Sequence, residues 1–331
     1  MAKRPVTIFT GQWADLGFET VCQKMSEFGY DGLELATWGD HFEVGKAAGD
    51  PSYCRNRRET LVKYELDCWA IGSHLIGQCV ASLYDARYDG FMPGFMKGKS
   101  GEMQQWAAEE MKQVARAAKN MGVKVVTGFT GSPIWNYWYS FPQTSQQQVD
   151  HAFREVVDKW TPILDVFDEC GVRFALEVHP TEIAFDFYST EKLLKAFDYR
   201  ETFGLNFDPS HLHWQGMNPA LFVREFGSRI YHVHVKDAQV NLDGRAGILG
   251  SHIEFGDTRR GWNFVSPGHG GVDFDAIVRE LNAIKYDGPM SVEWEDSGMD
   301  REFGAREACE FVRKFDYPPS TVAFDDALKK D

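Results

Sequence analysis

The chain has 331 residues, a length at which one α/β barrel is common, and its 43% hydrophobic and 14% aromatic content suffices for a large core. A net charge of −14 argues against nucleic acid or an anionic membrane as partner. Cys22, Cys54, Cys68, Cys79, Cys170 and Cys309 form no C-x-x-C pair and read as reduced, mostly buried thiols. The opening MAKRPVTIFTG enters a strand at once, and no apolar run is long enough for a signal peptide or a membrane span. Together these features read as a cytoplasmic protein.

Strand-like runs and amphipathic helical stretches alternate along the whole chain. VTIFTG (6–11) is the first strand, followed by a helix from about Leu16 to Phe28 that stops at Gly29. GLELAT (32–37) is the second, a helix over Tyr53–Tyr64 follows, and CWAIGSHL (68–75) is the third. A helix from about Glu102 to Met121, ending at Gly122, leads to VKVVTGFTG (123–131). A helix over about Gln147–Glu169, ending at Gly171, feeds RFALEVHP (173–180). Thr190–Phe197 precedes FGLNFDPSH (203–211), and Pro219–Phe226 precedes RIYHVHVKD (229–237). Phe274–Ile284, PMSVEWED (289–296) and a helix near Ala305–Lys314 close the pattern.

Strand–helix alternation calls for a parallel sheet, and eight such units call for a closed (β/α)8 TIM barrel. Tyr30-Asp31-Gly32 and Tyr286-Asp287-Gly288 repeat one tripeptide at the same place in the unit. A doubly wound nucleotide-binding sheet would want G-x-G-x-x-G after an early strand, and there is none. No linker or low-complexity segment divides residues 1–331, so a single domain is expected. Two insertions interrupt it, at about 132–142 (SPIWNYWYSFP) and about 238–272, both after C-terminal strand ends, where barrel enzymes build their sites.

Side chains alternate along a strand, so one parity points into the barrel. In four successive strands that parity collects Ala175, Glu177 and His179; Asn206 and Asp208; His232, His234 and Lys236; and Ser291, Glu293 and Glu295. The opposite parity collects Phe174, Leu176, Val178, Leu205, Phe207, Val233, Val235, Val292 and Trp294. A lone Glu or His in a strand is more often an ion-pair partner or a solvated end. Four in phase at one end of four consecutive strands are another matter, because unpaired buried carboxylates are costly. A divalent cation supplies the compensation, with Glu177, Asp208, His234 and Glu293 as ligands. The oxygen-rich set suits Mn²⁺ foremost, or Mg²⁺, Co²⁺ or Zn²⁺; cysteine-rich structural zinc is not supported.

E-x-H at Glu177–His179, D-P-S-H at Asp208–His211, H-V-K-D at His234–Asp237, E-W-E-D at Glu293–Asp296 and G-Y-D-G-L-E-L at Gly29–Leu35 resemble the xylose-isomerase-like barrel superfamily. That group includes sugar isomerases, ketose 3-epimerases, inosose isomerases and dehydratases, and the endonuclease IV type of repair enzyme. The resemblance implies one divalent ion on those four residues, chelating a sugar carbonyl and its neighbouring hydroxyl. Glu177 and Glu293 would then move the proton of the adjacent carbon through a metal-stabilised enediolate. It also implies that His211 contacts substrate oxygens, and His179, His74 and Lys236 point toward the same cavity. His269, in the middle of a G-x-G-like turn, is a candidate further acid or base. Trp13, Trp38, Trp135, Trp138 and Trp262 are candidates to stack on a sugar face or an aglycone, or else to pack between loops.

The leading expectation is a metal-dependent sugar or keto-sugar isomerase or epimerase with a small carbohydrate substrate. The alternative shares the first step and then eliminates: an inosose-type dehydratase or a 3-keto-glycoside lyase. The usual epimerase arginine is missing after the histidine ligand, where the chain reads KDAQVNLDGR, which leaves room for the lyase. Phosphodiester cleavage wants more histidine ligands and a basic groove, and a sugar-binding barrel without turnover is a further alternative. A homo-oligomer or a partner subunit is expected from the family and from exposed aromatics such as Tyr137 and Tyr139.

Overall fold

The computed structural model describes residues 3–322 and 324–328. Its barrel strands are β1 (Val6–Phe9), β2 (Gly32–Ala36), β3 (Asp67–Gly72), β4 (Val125–Gly128), β5 (Arg173–Glu177), β6 (Phe203–Phe207) and β7 (Ile230–Val235). The chain then makes two strands outside the barrel, β8 (Asp237–Val240) and β9 (Trp262–Val265), and returns to it with β10 (Met290–Val292). The barrel closes in the order β1-β10-β7-β6-β5-β4-β3-β2 with every pairing parallel, so it is the eight-stranded TIM barrel that the alternation predicts. The apolar strand residues that point outward, Val, Leu, Ile and Phe, pack on the helices as one continuous core.

The long helices start and stop where local chemistry says they should. Ser145 caps helix Gln146–Cys170 through a reciprocal box with Gln148. That helix ends on Gly171 and helix Met103–Met121 on Gly122, both left-handed (φ 64° and 79°), a conformation that costs glycine little. The six cysteines are unpaired, four of them buried.

Three expectations need correction. The third strand stops at Gly72, and after one residue helix His74–Ala81 begins; an apolar run such as CWAIGSHL fits a strand or a buried helix equally by pattern. The insertion after β7 is not an irregular loop throughout, because β8 and β9 pair antiparallel, Asp237 opposite Val265 and Val240 opposite Trp262. Further short helices at Val44–Gly49 and Pro209–Trp214 were not foreseen. Among the described residues no helix is long and apolar enough to cross a membrane.

Candidate active site

The strand ends deliver the four candidate ligands to one point. Glu177 is the last residue of β5, Asp208 and Glu293 follow β6 and β10 directly, and His234 is the penultimate residue of β7. Asp208 is also the N-cap of helix Pro209–Trp214: its Oδ1 accepts from Ser210 N and Ser210 Oγ, each at 2.7 Å. One donor atom from each of the four lies within 4.8 Å of the others, and all four side chains are buried.

The imidazole of His234 organises the cluster. Its Nε2 donates to Glu34 Oε2 at 2.9 Å, which leaves Nδ1 with its lone pair. That Nδ1 stands 3.1 Å from Glu177 Oε2 and 3.0 Å from Glu293 Oε2. A lone pair facing two carboxylates is repulsive unless a cation lies among them or the ring takes a second proton. Asp208 Oδ2 and Glu293 Oε2 are buried with no hydrogen-bond partner, which fits the same need. Three carboxylate oxygens and one imidazole nitrogen suit a divalent cation of the Mn²⁺, Mg²⁺, Co²⁺ or Zn²⁺ kind.

Around the cluster lie further polar groups. Lys236 Nζ is 3.3 Å from Glu293 Oε2 and 3.1 Å from Glu295 Oε1. His74 Nε2 donates to Glu177 Oε2 at 3.1 Å, and His211 Nε2 lies 3.2 Å from Glu177 Oε1. The His179 ring is 4.1 Å from the His211 ring, centroid to centroid. Burial alone would raise the carboxyl of Glu293, but the Lys236 charge, with help from His234, outweighs it and brings the group down to about 2. Burial likewise opposes ionisation of Glu177, and hydrogen bonds from His211, from His234 when its ring carries the second proton, and from His74 overcome it and hold the carboxyl well below the ordinary range. His179, buried beside His211, is pushed well below the usual imidazole value.

His74, His179, His211, Lys236, Glu177 and Glu293 all line one cavity of about 780 Å³. Two other expected site residues do not. Trp13 is fully buried, because the single turn Thr10–Trp13 tucks its ring under the Arg301 guanidinium at 4.4 Å. Its neighbour Gln12 faces the cavity instead and donates to Glu293 Oε1 at 3.2 Å. His269 is half-exposed and pairs with Glu307 at 2.8 Å, outside the cavity. Its loop is stapled to Asp237, whose carboxylate accepts from the backbone N–H groups of Gly268, Gly270 and Val272. Trp38, Trp135, Trp138 and Trp262 do line the cavity.

One buried residue escaped the sequence reading. Glu34 on β2 is inaccessible to solvent, and its Oε2 accepts from His232 at 2.8 Å and Ser291 at 2.9 Å as well as from His234. Thr127 donates to its other oxygen. The available signal was its parity: a lone acid in GLELA shares the inward phase of Gly32 and Ala36.

The class of molecule defined by the fold is a closed parallel barrel with three carboxylates and an imidazole converging at its C-terminal strand ends, a cluster able to hold a metal ion. The chain belongs to the xylose isomerase-like TIM barrel family, whose model matches residues 22–315. It is 30% identical over 213 residues to the uncharacterized protein YfiH of Bacillus subtilis, covering 59% of this chain and 66% of that one. Over 105 residues it is 30% identical to an inosose dehydratase of Clostridium botulinum, covering 32% of this chain and 34% of that one. Over 188 residues it is 27% identical to the inosose isomerase of B. subtilis, covering 56% and 58%. The chain thus spans less than two thirds of the length of these relatives. A solved structure of the IolI protein with a zinc atom bound superposes at a TM-score of 0.62, with 19% identity over 94% of this chain and 96% of that one.

Proposed function

We propose that the protein is a divalent-metal-dependent isomerase or epimerase of a small keto-sugar, and that Glu177 and Glu293 move the proton beside the carbonyl. The observation that carries this reading is the convergence of two buried, ionised glutamates on one imidazole nitrogen, at 3.1 and 3.0 Å, at the bottom of a cavity. A cation on Glu177, Asp208, His234 and Glu293 supplies Lewis acidity toward a substrate carbonyl, and Mn²⁺ is the first to try.

The chain's own groups do the rest. One glutamate takes the proton from the carbon beside the carbonyl, and the C–H electron pair moves toward the carbonyl oxygen to give an enediolate. The other glutamate, once it has taken a proton from solvent, delivers that proton to the opposite face of the carbon and epimerises it, while the first later releases its own to solvent. Return of the first proton to the former carbonyl carbon, with a proton passing from the neighbouring hydroxyl oxygen to the former carbonyl oxygen, isomerises the sugar. Lys236, His74, His179 and His211 bind and orient the hydroxyls, with Lys236 also holding Glu293 ionised. The match to inosose dehydratases favours a second reading with the same first step. In it the electron pair expels a hydroxyl or alkoxyl group from the β carbon, and that group leaves with a proton from the site.

The test is incubation of the Mn²⁺-loaded protein in D₂O with ketoses, inososes and 3-keto-glycosides. Deuterium on the carbon beside the carbonyl, with mass otherwise conserved, is the expected result; loss of water or of an aglycone selects the elimination. Glu177→Gln and Glu293→Gln should each lower exchange by about 10²–10⁴-fold with unchanged circular dichroism. Full exchange in either variant removes the two-glutamate mechanism.

A further inference from the structure

We infer that the outer part of the cavity is a subsite for a planar aromatic group, so that the substrate is an aryl glycoside whose sugar carries the carbonyl. This rests on the keto-sugar reading above and extends it outward from the reacting carbon.

The cavity has two chemically distinct regions. Its floor is formed by the charged and imidazole side chains at the strand ends. The two insertions, by contrast, contribute only apolar or aromatic lining, with Arg260 as the exception. From the first come Trp135 and Trp138, stacked at 6.1 Å and 18°, with Phe185 edge-on to Trp135 at 5.4 Å. From the second come Phe255, Trp262 and Phe264, and Trp262 lies flat on Trp214 at 4.2 Å and 3°. Aromatic surface remains open to solvent on both insertions: Trp138 is 48% exposed and Phe255 is 55% exposed.

Three occupants can be compared on this lining. A free monosaccharide on the floor would leave the aromatic compartment filled with water, and a cavity of 780 Å³ lies in the upper part of the range that encloses drug-sized ligands, roughly 300–1,000 Å³. A second sugar needs a partner for each hydroxyl, and the insertions provide hardly any. Arg260 is already committed: its guanidinium packs 4.1 Å over Phe255 and 4.6 Å over Trp262, and Nη1 donates to Ile253 O at 2.7 Å. A phosphate finds no better cation, because Lys236 is paired with Glu293 and Glu295. A planar aromatic ring asks for no hydrogen bonds and gains from stacked and edge-on partners.

The experiment is calorimetric titration of the full, Mn²⁺-loaded chain with methyl and 4-nitrophenyl β-D-glucosides and galactosides, and with cellobiose. None of these probes carries a ring carbonyl, so binding is read apart from chemistry. The 4-nitrophenyl glycosides should bind about tenfold or more tighter than their methyl counterparts. Trp135→Ala and Trp138→Ala, both at partly exposed positions, should each reduce that preference several-fold with circular dichroism unchanged. Equal affinities, tighter binding of cellobiose, no binding of any aryl probe at millimolar concentration, or a preference untouched by both variants would each overturn the proposal. Aryl preference without deuterium exchange would retire the proton-transfer reading and keep the subsite; exchange without aryl preference would do the reverse.

Discussion

Glu34 shows what a single buried residue contributes to the site without touching a substrate. It lies one layer behind the cluster, and the charges of His234 and His232 overcome the effect of burial to hold its carboxyl well below the ordinary range. As an anion it can only accept, so His234 must present N–H at Nε2, and Nδ1 is left to face Glu177, Glu293 and the Asn206 amide, where either a second ring proton or a cation balances the carboxylates. Glu34→Gln keeps an oxygen of similar shape but loses the charge and brings an NH₂ that can compete. The expected outcome is a Mn²⁺ affinity about 10–100-fold lower, measured by competition with a chelator, with far-ultraviolet circular dichroism unchanged. An affinity equal to that of the parent would make Glu34 a packing residue only.

Among the elements, helix His74–Ala81 ties barrel packing to the site. It starts one residue after β3, and its first residue reaches Glu177. It sits so close to the end of β4 that a Cβ built on Gly77 would lie 2.1 Å from the carbonyl oxygen of Phe129, a backbone atom with little room to give. Gly77→Ala should therefore cost about 1–3 kcal/mol, read as a lower urea midpoint at unchanged slope, whereas alanine at an unhindered helical glycine is expected to stabilise. A midpoint equal to or above the parent's would mean that the helix can move away from Phe129. This helix was also the least legible element. The long helices declared themselves by period and by Gly122 and Gly171, and the inward set Glu177, Asp208, His234 and Glu293 by parity alone. His74–Ala81 hid inside a continuous apolar run. Trp13, a candidate for the site, is buried beside it while Gln12 faces the cavity, because a single helical turn, too short to leave a period, sets which of them points inward. His269, a candidate acid or base, lies outside the cavity for a similar reason: Asp237 fixes the turn through backbone groups, which carry no sequence signal. Glu34 depends on contacts with residues about 200 positions away, beyond any local pattern.

On the scale of the whole molecule, the loops after β4 and β5 must be held together for the aromatic wall to exist, and a buried acid does this. Glu182, fully inaccessible, accepts from the backbone N–H of Thr130 at 2.8 Å and of Gly131 at 2.6 Å, at the root of the 132–142 insertion. Thr130 Oγ1 and the Gln78 side chain add to these, and Tyr88 is its titratable neighbour. Burial works against ionisation, the backbone donors work for it, and burial wins: the carboxyl is raised to about 7. In the unfolded chain the same carboxyl titrates near 4.5. Between these values the native state holds a proton that the unfolded state has released, so stability falls as pH rises through the window. The full change is about 3 kcal/mol, complete above the folded value and absent below the unfolded one. Glu182→Gln cannot titrate and retains an oxygen for the two N–H groups. The stability of the parent minus that of this variant, from urea unfolding, should therefore decline steadily from pH 4.5 to pH 7 and then level off. A difference that stays flat across that range would mean that Glu182 is ionised in the fold and that the backbone donors, not burial, set its state.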